Sequence, residues 1–318
     1  MSTRPSALCP ACDSDGLSRW RRAGASEAPA GSAPEHWLLR CPRCGTAVTR
    51  PEQDPAQLKP LYEGGTYSQA RGLVDPVLEP LRQLMLRERD RSLRGVAAGA
   101  SVFEVGAGDG SYVSHLTDAG YRARGLEPSA NGLGSDLVAP VGVEEADVAP
   151  HSQAVVMMWH VLEHLDDPAR TLADVRGWLA PGGRLIVAVP NLSSLQARIG
   201  GDRWFHQDIP RHRTHFTERG LLMLLRREGF EPQRVRHVLL EQNPLGMWQT
   251  LLNRLTVRLN VAFRLLKRDF ALGEAGSIRD IAVTTIGGLL LAPVAVCLEL
   301  AAGLARRGGT VIVEASAP

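Results

Sequence analysis

The sequence predicts an α/β fold: a doubly wound sheet with a small metal-stapled module in front of it and an α-helical insertion before the last strand. Three observations predict it. Short apolar runs alternate with helical segments from Ser101 to Leu239, the pattern of a parallel sheet covered on both faces. Two Cys-x-x-Cys pairs precede that stretch, and the segment from Leu240 to Gly308 breaks its alternation. On this reading residues 1–50 are the metal module, 51–100 a helical linker, 101–239 the sheet domain, 240–308 the insertion and 309–318 the closing strand.

A chain of 318 residues has room for one full domain plus an appendage. Its 44% hydrophobic and 22% charged residues are those of a globular protein. A formal charge of +2 argues against a broad nucleic-acid surface. Four of the five cysteines lie in the two pairs, and Cys297 sits in an apolar run. That is metal-site usage in a reducing compartment. With no apolar signal core between Met1 and Pro10, export is not expected and a cytoplasmic location is.

Cys9-Pro-Ala-Cys12 and Cys41-Pro-Arg-Cys44-Gly45 are two knuckles separated by residues 13–40. Each turn sets two thiolates on one side of a tight loop, and two turns complete a tetrahedral sulfur site for Zn²⁺. Four thiolates close the coordination sphere, so the site is structural. The Pro-, Ala-, Gly- and Arg-rich first fifty residues cannot build a core alone, which suits a metal staple. A hairpin strand over His36–Leu39 is expected to fill the gap.

From Pro55 to Arg94 the pattern turns helical, with Leu78, Leu81, Met85 and Leu86 at helical spacing and Pro55, Pro60, Pro76 and Pro80 as breaks. Strands are then expected at Ser101–Val105, Arg122–Leu126, weakly near Val141, and at Ala154–Met158, Arg184–Val189 and Pro232–Leu239. Helices are expected at Tyr112–Ala119, before Leu179, and at Glu218–Glu228; Pro181-Gly-Gly183 reads as a turn and Thr310–Glu314 as the last strand.

Glu104-Val-Gly106-Ala-Gly108-Asp-Gly110 stands where the first strand meets a helix. Glycines there admit a ligand against the backbone, and the helix start offers unpaired N–H groups. Glu127 closes the second strand, where a carboxylate can accept both hydroxyls of a ribose.

Glu104–Gly110 resembles the first motif of class I S-adenosylmethionine-dependent methyltransferases, and Glu127 is similar to their ribose-binding acid. Trp159-His-Val-Leu-Glu-His-Leu165, Leu179-Ala-Pro-Gly-Gly183 and Val189-Pro-Asn191 resemble later motifs of the branch containing the ubiquinone-biosynthesis O-methyltransferases. The likeness covers residues 100–239. It implies a seven-stranded Rossmann-like sheet, with S-adenosyl-L-methionine held by Glu104, Gly106, Ala107, Gly108, Gly110, Glu127, Trp159 and His160. Members also carry an acid after the third strand for the adenine; Gly142-Val-Glu-Glu-Ala-Asp147 offers three. The zinc module in front is similar to that of sugar C-methyltransferases, whose large C-terminal domain is missing here.

His160, Glu163 and His164 follow the fourth strand, and His206, His212 and His215 lie in the loop after the fifth. Both positions belong to the carboxyl edge, where open α/β sheets bind ligands. The six groups are open to three readings: helix and loop packing, a general base, or a metal site. Small-RNA 2′-O-methyltransferases bind a metal through a similar Glu-x-x-Glu-His and a later His, but here His160 replaces the first acid. A histidine near neutral pKa suits removal of a hydroxyl or acidic carbon proton. His215 and His212 lead as the base, followed by His160.

Gln242–Arg268 carries Arg254, Arg258, Arg264, Lys267 and Arg268 without an acid, and its apolar residues recur at helical spacing. Ile281–Leu298 is an uncharged run of 18 residues, at the bottom of the spanning range. Because the last strand must return to the sheet, a helical hairpin over 242–304 is expected to lie on the inner face of a membrane or to cover a lipid-like substrate; a buried dimer or lid pair is the alternative. The expected activity is therefore methyl transfer, on oxygen or carbon, to a small-molecule or lipid-like acceptor. Two rivals are an RNA-modifying methyltransferase whose module grips RNA through Arg19, Arg21, Arg22, Arg40, Arg43 and Arg50, and a non-catalytic scaffold that keeps the cofactor pocket.

Overall fold

The computed structural model describes residues 8–23, 36–52, 86–129, 136–267 and 278–317. In chain order the strands are β1 (Ser18–Ala23), β2 (His36–Arg40), β3 (Ala47–Arg50), β4 (Ser101–Val105), β5 (Arg122–Leu126), β6 (Val138–Ala139), β7 (Gln153–Trp159), β8 (Leu179–Pro190), β9 (Thr214–His215), β10 (Glu231–Arg236) and β11 (Thr310–Ser316). The α-helices are α1 (Ser111–Asp118), α2 (Pro168–Trp178), α3 (Leu195–Gly200), α4 (Glu218–Arg227), α5 (Asn243–Leu255), α6 (Val261–Lys267) and α7 (Ile278–Leu304). Two compact units emerge. A cysteine unit comprises Met1–Lys59, Pro190–Met223 and Arg236–Val311, and a central-sheet unit comprises Pro60–Val189, Leu224–Val235 and Ile312–Pro318.

The central sheet has seven strands in the order β10-β11-β8-β7-β4-β5-β6. Its β8-β7-β4-β5-β6 portion is parallel throughout. The last strand of the chain is the exception. Ala317 N–H donates to the Gly183 carbonyl (2.9 Å) and Asn191 N–H to that of Gly309 (2.8 Å), so β11 runs antiparallel to β8. Val155–Met158 and Leu185–Val189 are at most 1% exposed, because a strand covered on both faces has no solvent side on which to place a polar residue. Trp178 at the end of α2 meets Phe103 edge to face at 5.7 Å between ring centroids. Asp167 caps that helix, accepting from Arg170 N at 3.0 Å, and Pro168 starts it.

Three local expectations change. The weak strand expected near Val141 lies at Val138–Ala139, where only two residues pair with β5. The Pro181-Gly-Gly183 turn is absorbed as an irregularity within β8: Gln153 faces Leu179 while Val155 faces Arg184, and Gly182 takes φ +71°. In the linker, Leu78, Leu81, Met85 and the four prolines lie outside the described residues; residues 86–89 are helical and pass into a 3₁₀ turn at Asp90–Leu93.

The cysteine unit carries a second sheet, β1-β2-β3-β9, antiparallel at each step. The expected hairpin strand is β2, one residue longer than read. The core explains how a module poor in apolar residues folds: Leu38 and Ala47 pack with Leu192, Ala197, Trp204 and Ile209 from the segment after β8. Ser194 caps α3 by accepting from Ala197 N at 3.0 Å.

The insertion before the last strand is helical, but Gln242–Arg268 is not one helix. It breaks between α5 and α6, where Thr256 Oγ1 donates to the Arg258 carbonyl (2.7 Å) and Asn260 takes φ +58°. The Asp280 carboxylate accepts from Val257 N (2.8 Å) and Arg258 N (3.1 Å) at the same break.

Candidate functional site

The glycine loop leaves β4 with Gly106, Gly108 and Gly110 at φ +75°, +54° and +73°. Side chains with a Cβ resist this region. At Gly106 there is a second reason: a Cβ would run into the side chain of Val161. Gly106 N and Ala107 N both donate to the Leu126 carbonyl (2.8 and 2.9 Å), tying the loop to the end of β5. Glu127, the next residue, reaches back over the loop. Its Oε2 accepts from Gly108 N at 3.2 Å, and its Oε1 accepts from Ser129 N (3.1 Å) and Ser129 Oγ (2.6 Å). A half-buried carboxylate thus stands against glycine backbone at the carboxyl ends of β4 and β5, with open space at Gly108.

Beneath the loop lies a polar stack that sequence reasoning missed. Arg89 comes within 3.5 Å of the buried Glu104. Its guanidinium lies over Tyr112 and Trp159, 5.3 and 5.1 Å from the ring centroids, a desolvated cation–π arrangement. Tyr112 OH donates to Asp90 Oδ1 (3.1 Å), and His115 Nε2 meets Asp90 Oδ2 (2.9 Å). Burial, and then the Asp90 and Glu104 carboxylates, push the Tyr112 phenol up, so it stays protonated and donating. Trp159 Nε1 is buried without a hydrogen-bond partner among the described residues, a donor that a ligand atom could satisfy. The only available signal for Arg89 was an arginine-rich run, Arg87 to Arg94, with nothing in it to single out one member.

At the end of β7, His160 holds φ +56°, rare for a residue with a Cβ. Its N–H donates to the Ala188 carbonyl (2.9 Å), and its Nδ1 lies 3.2 Å from Oε1 of Glu163, which is 1% exposed. With Glu163 ionised, Nδ1 carries the proton and Nε2 the lone pair. The hydrogen bond to Glu163 thus selects one tautomer of His160.

The other three histidines belong to the cysteine unit and are buried there. His206 packs against Phe205 and Trp204, with centroids at 4.9 and 5.9 Å. His212 Nδ1 meets the His206 carbonyl at 2.8 Å. The nearby Asp208 carboxylate is gripped by both Arg211 Nε (2.9 Å) and Nη2 (2.6 Å). His215 lies on β9, which pairs with β3. Thr49 Oγ1 spends its proton on the His212 carbonyl (2.7 Å), so His215 Nε2 must donate to Thr49 Oγ1 (3.0 Å). The arrangement joins the metal module to the loop after β8.

Burial pushes His215 down to about 4, so it is neutral at pH 7 and charges at a cost. Its ordinary value is 6.5, and the folded state binds the proton less well than the unfolded state. The stability it contributes is therefore complete above pH 6.5 and is lost as pH falls toward 4. Glu299, pushed up to about 7 by burial, slopes the other way, its contribution declining as pH rises from 4.5 to 7. His215→Gln keeps a donor for Thr49 and removes the first slope. Thermal melts should show the variant less acid-sensitive than the wild type; equal sensitivity would mean that His215 is solvated.

The four cysteines meet as the knuckle spacing predicts. Cys9 Sγ is 3.5 Å from Cys44 Sγ, Cys12 Sγ is 3.6 Å from Cys41 Sγ, and all four sulfurs lie within 4.8 Å of one another. A sulfur tetrahedron with zinc–sulfur bonds of about 2.3 Å has edges near 3.8 Å, so the cluster has the size of a zinc site and is too wide for disulfides. Asp13 and Gly45 turn the two knuckles with φ +52° and +78°. The hydrogen bond between Cys9 and Cys44 lowers one thiol of the pair and raises the other, so one of the two ionises readily. Arg21 and Arg40 stack on Trp20 (4.1 and 4.7 Å), and Arg19 and Arg22 on Trp37 (5.1 and 5.7 Å), so four of the arginines considered for RNA are engaged by the module's own indoles.

A cleft of about 440 Å³ lined by Arg226, Gly229, Phe230, Glu231, Pro232, Ser316 and Ala317 lies at the start of β10 and the end of β11. That is the amino edge of the sheet, away from the glycine loop.

The family described as a methyltransferase domain matches residues 77–235, half of the chain. No curated protein matches the sequence. Among solved structures, the [4+2]-cyclase SpnF is similar at 18% identity over 73% of this chain and 80% of that one, with a TM-score of 0.46. Phosphoethanolamine N-methyltransferase 2 of Haemonchus contortus, in complex with S-adenosyl-L-methionine, is similar at 14% identity over 74% and 52% of the two chains, with a TM-score of 0.47. Geranyl diphosphate C-methyltransferase of Streptomyces coelicolor A3(2) is similar at 12% identity over 80% and 87%, with a TM-score of 0.47.

Proposed function

The chain belongs to the methyltransferase-domain family, and from that premise we propose that it transfers the methyl group of S-adenosylmethionine to a small-molecule or lipid-like acceptor. The observation that carries the proposal is the Glu127 carboxylate placed against Gly108 N–H beside three left-handed glycines. The residues fit the cofactor. Gly106, Ala107, Gly108 and Gly110 would admit its carboxypropyl end, Glu127 would exchange its bonds to Gly108 and Ser129 for two ribose hydroxyls, and buried Trp159 Nε1 has a proton to donate. Glu104 acts from below, with Arg89, to hold the loop's underside. Bound there, S-adenosylmethionine supplies an electrophilic methyl sulfonium.

The residues around it have to align a nucleophile and take its proton. For that role we put His160 ahead of His212 and His215. It lies at the end of β7 in the same unit as the glycine loop, is 15% exposed, and has its Nδ1 set against a buried carboxylate. His212 and His215 have structural partners and are almost fully buried. Cys9, Cys12, Cys41 and Cys44 would hold a structural Zn²⁺ with no open position.

Calorimetry tests the cofactor assignment. Wild-type protein should bind S-adenosylmethionine and its demethylated product, and Glu127→Ala should weaken both by roughly 1.5–3 kcal/mol, the range for hydrogen bonds to a charged group. Tight NAD binding without binding of the methyl donor would refute the proposal. Once extracts screened with methyl-labelled cofactor yield an acceptor, His160→Gln should lower transfer at saturating cofactor by about 10²-fold or more. Unchanged turnover would return the base to the other histidines.

A further inference from the structure

Helix α7 is built inside out. Its buried positions are small or polar: Asp280, Thr284, Gly288, Ala295, Glu299 and Gly303. Its outward positions are large and apolar: Ile286, Leu289, Leu290, Val294, Leu300 and Leu304 are 38–81% exposed. A helix packed for water does the reverse. The polar stripe is firmly partnered. Asp280 accepts from Val257 N and Arg258 N, Glu299 accepts from Gly309 N (2.6 Å) and Gln196 Nε2 (2.8 Å), and Trp248 Nε1 donates to the Gly288 carbonyl (2.8 Å). The orientation of α7 is therefore specified, and it turns the apolar residues outward by construction.

The exposed face has no charge from Ile281 to Ala305 and is framed by arginines at both ends. Exposed Arg258, whose backbone N–H donates to Asp280, and exposed Arg279 stand at its start, with Arg254 4.0 Å from Asp202; Arg306, paired with Glu218 Oε1 at 2.7 Å, and Arg307 follow its end. Among the described residues of 242–308, the only carboxylates are those of Asp280 and Glu299, and both are buried. A second copy of the helix, parallel or antiparallel, would set arginines against arginines, and no exposed acid among the described residues of 242–308 lies there to meet them. An anionic bilayer meets both requirements, with acyl chains for the centre and headgroup phosphates for the ends. Crossing is disfavoured. The helix is stapled to α5 and to the start of β11 from Asp280 to Glu299, and α5 carries the buried amides Gln249 and Asn253, which belong with protein and not with hydrocarbon.

We propose that α7 seats the protein in plane on an anionic lipid bilayer, with its apolar face submerged in the interface and the flanking arginines on the headgroups. This is independent of the methyl-transfer reading.

Cys297 makes the test direct, since it is exposed on the apolar face while the other four cysteines are buried together. The full chain is labelled there with an environment-sensitive fluorophore and mixed with vesicles of about three parts phosphatidylcholine to one part phosphatidylglycerol. Emission should shift to the blue and be quenched by brominated acyl chains. Binding should fall roughly tenfold on phosphatidylcholine alone and again as salt rises from about 0.1 to 0.5 M. Leu289→Glu with Leu290→Glu, both at exposed positions, should lower partitioning at least as much and leave the melting transition in place. Unshifted emission with every vesicle overturns the proposal, as does equal binding to neutral and anionic vesicles. A blue shift without vesicles that grows with protein concentration also overturns it and assigns the face to a second copy of the chain.

Discussion

Replacing Cys41 and Cys44 together with serine is expected to release one zinc ion per chain and to unfold far more than the first fifty residues. Structural zinc in small modules contributes an apparent ~10–16 kcal/mol at neutral pH, more than the whole stability of many domains. The damage should spread because the knuckles are built into the unit around them. Val48 and Ala47 on β3 pair with Thr214 and His215. Thr217 Oγ1 donates to the Cys44 carbonyl at 2.7 Å and accepts from Gly220 N at 3.0 Å, so one hydroxyl joins the second knuckle to the start of α4. Leu38 and Ala47 share a core with Trp204 and Ile209. Metal analysis and hydrogen exchange on wild type and variant check this. Exchange should rise through residues 190–223 as well as 8–52. A wild type that contains no zinc when purified without chelators removes the metal assignment, and protection lost only before residue 53 removes the claim of integration.

Gly106→Ala should weaken cofactor binding by at least about tenfold. The left-handed backbone at φ +75° costs an alanine roughly 1–2 kcal/mol, and its Cβ would overlap the Val161 side chain; overpacking of this kind typically costs about 1–3 kcal/mol. The loop must shift, and the Gly108 N–H that faces Glu127 moves with it. Adding Val161→Ala removes the overlap and leaves the backbone term, so the double variant should recover part of the affinity. Calorimetric titration of the three variants measures both contributions. Wild-type affinity in Gly106→Ala would show that the ligand does not approach this loop.

Both centres announce themselves in the sequence through local signals. The knuckles are spelled by two Cys-x-x-Cys turns, and the loop by glycines between an apolar run and a helix. Arg122–Leu126 comes out with the boundaries read from its pattern, and Thr310 starts the last strand as read. The two-residue β6 was read three residues late, because a strand so short has no periodicity to recognise.

What only the tertiary structure decided depends on partners distant in the chain. Arg89 was one arginine among several until Glu104, Tyr112 and Trp159 closed around it. His215 is one histidine among several in the sequence, and only the fold shows its Nε2–H donating to Thr49, 166 positions away. The same limit governs α7. Composition alone established that residues 281–298 are apolar and uncharged, but a helix apolar all round has no pattern to say which side is covered. That was settled by Asp280, Glu299 and Gly288, each bound to a group elsewhere in the unit. Residue type sets the cost of burial locally, whereas which face is buried depends on hydrogen-bond partners that only the folded chain brings within reach.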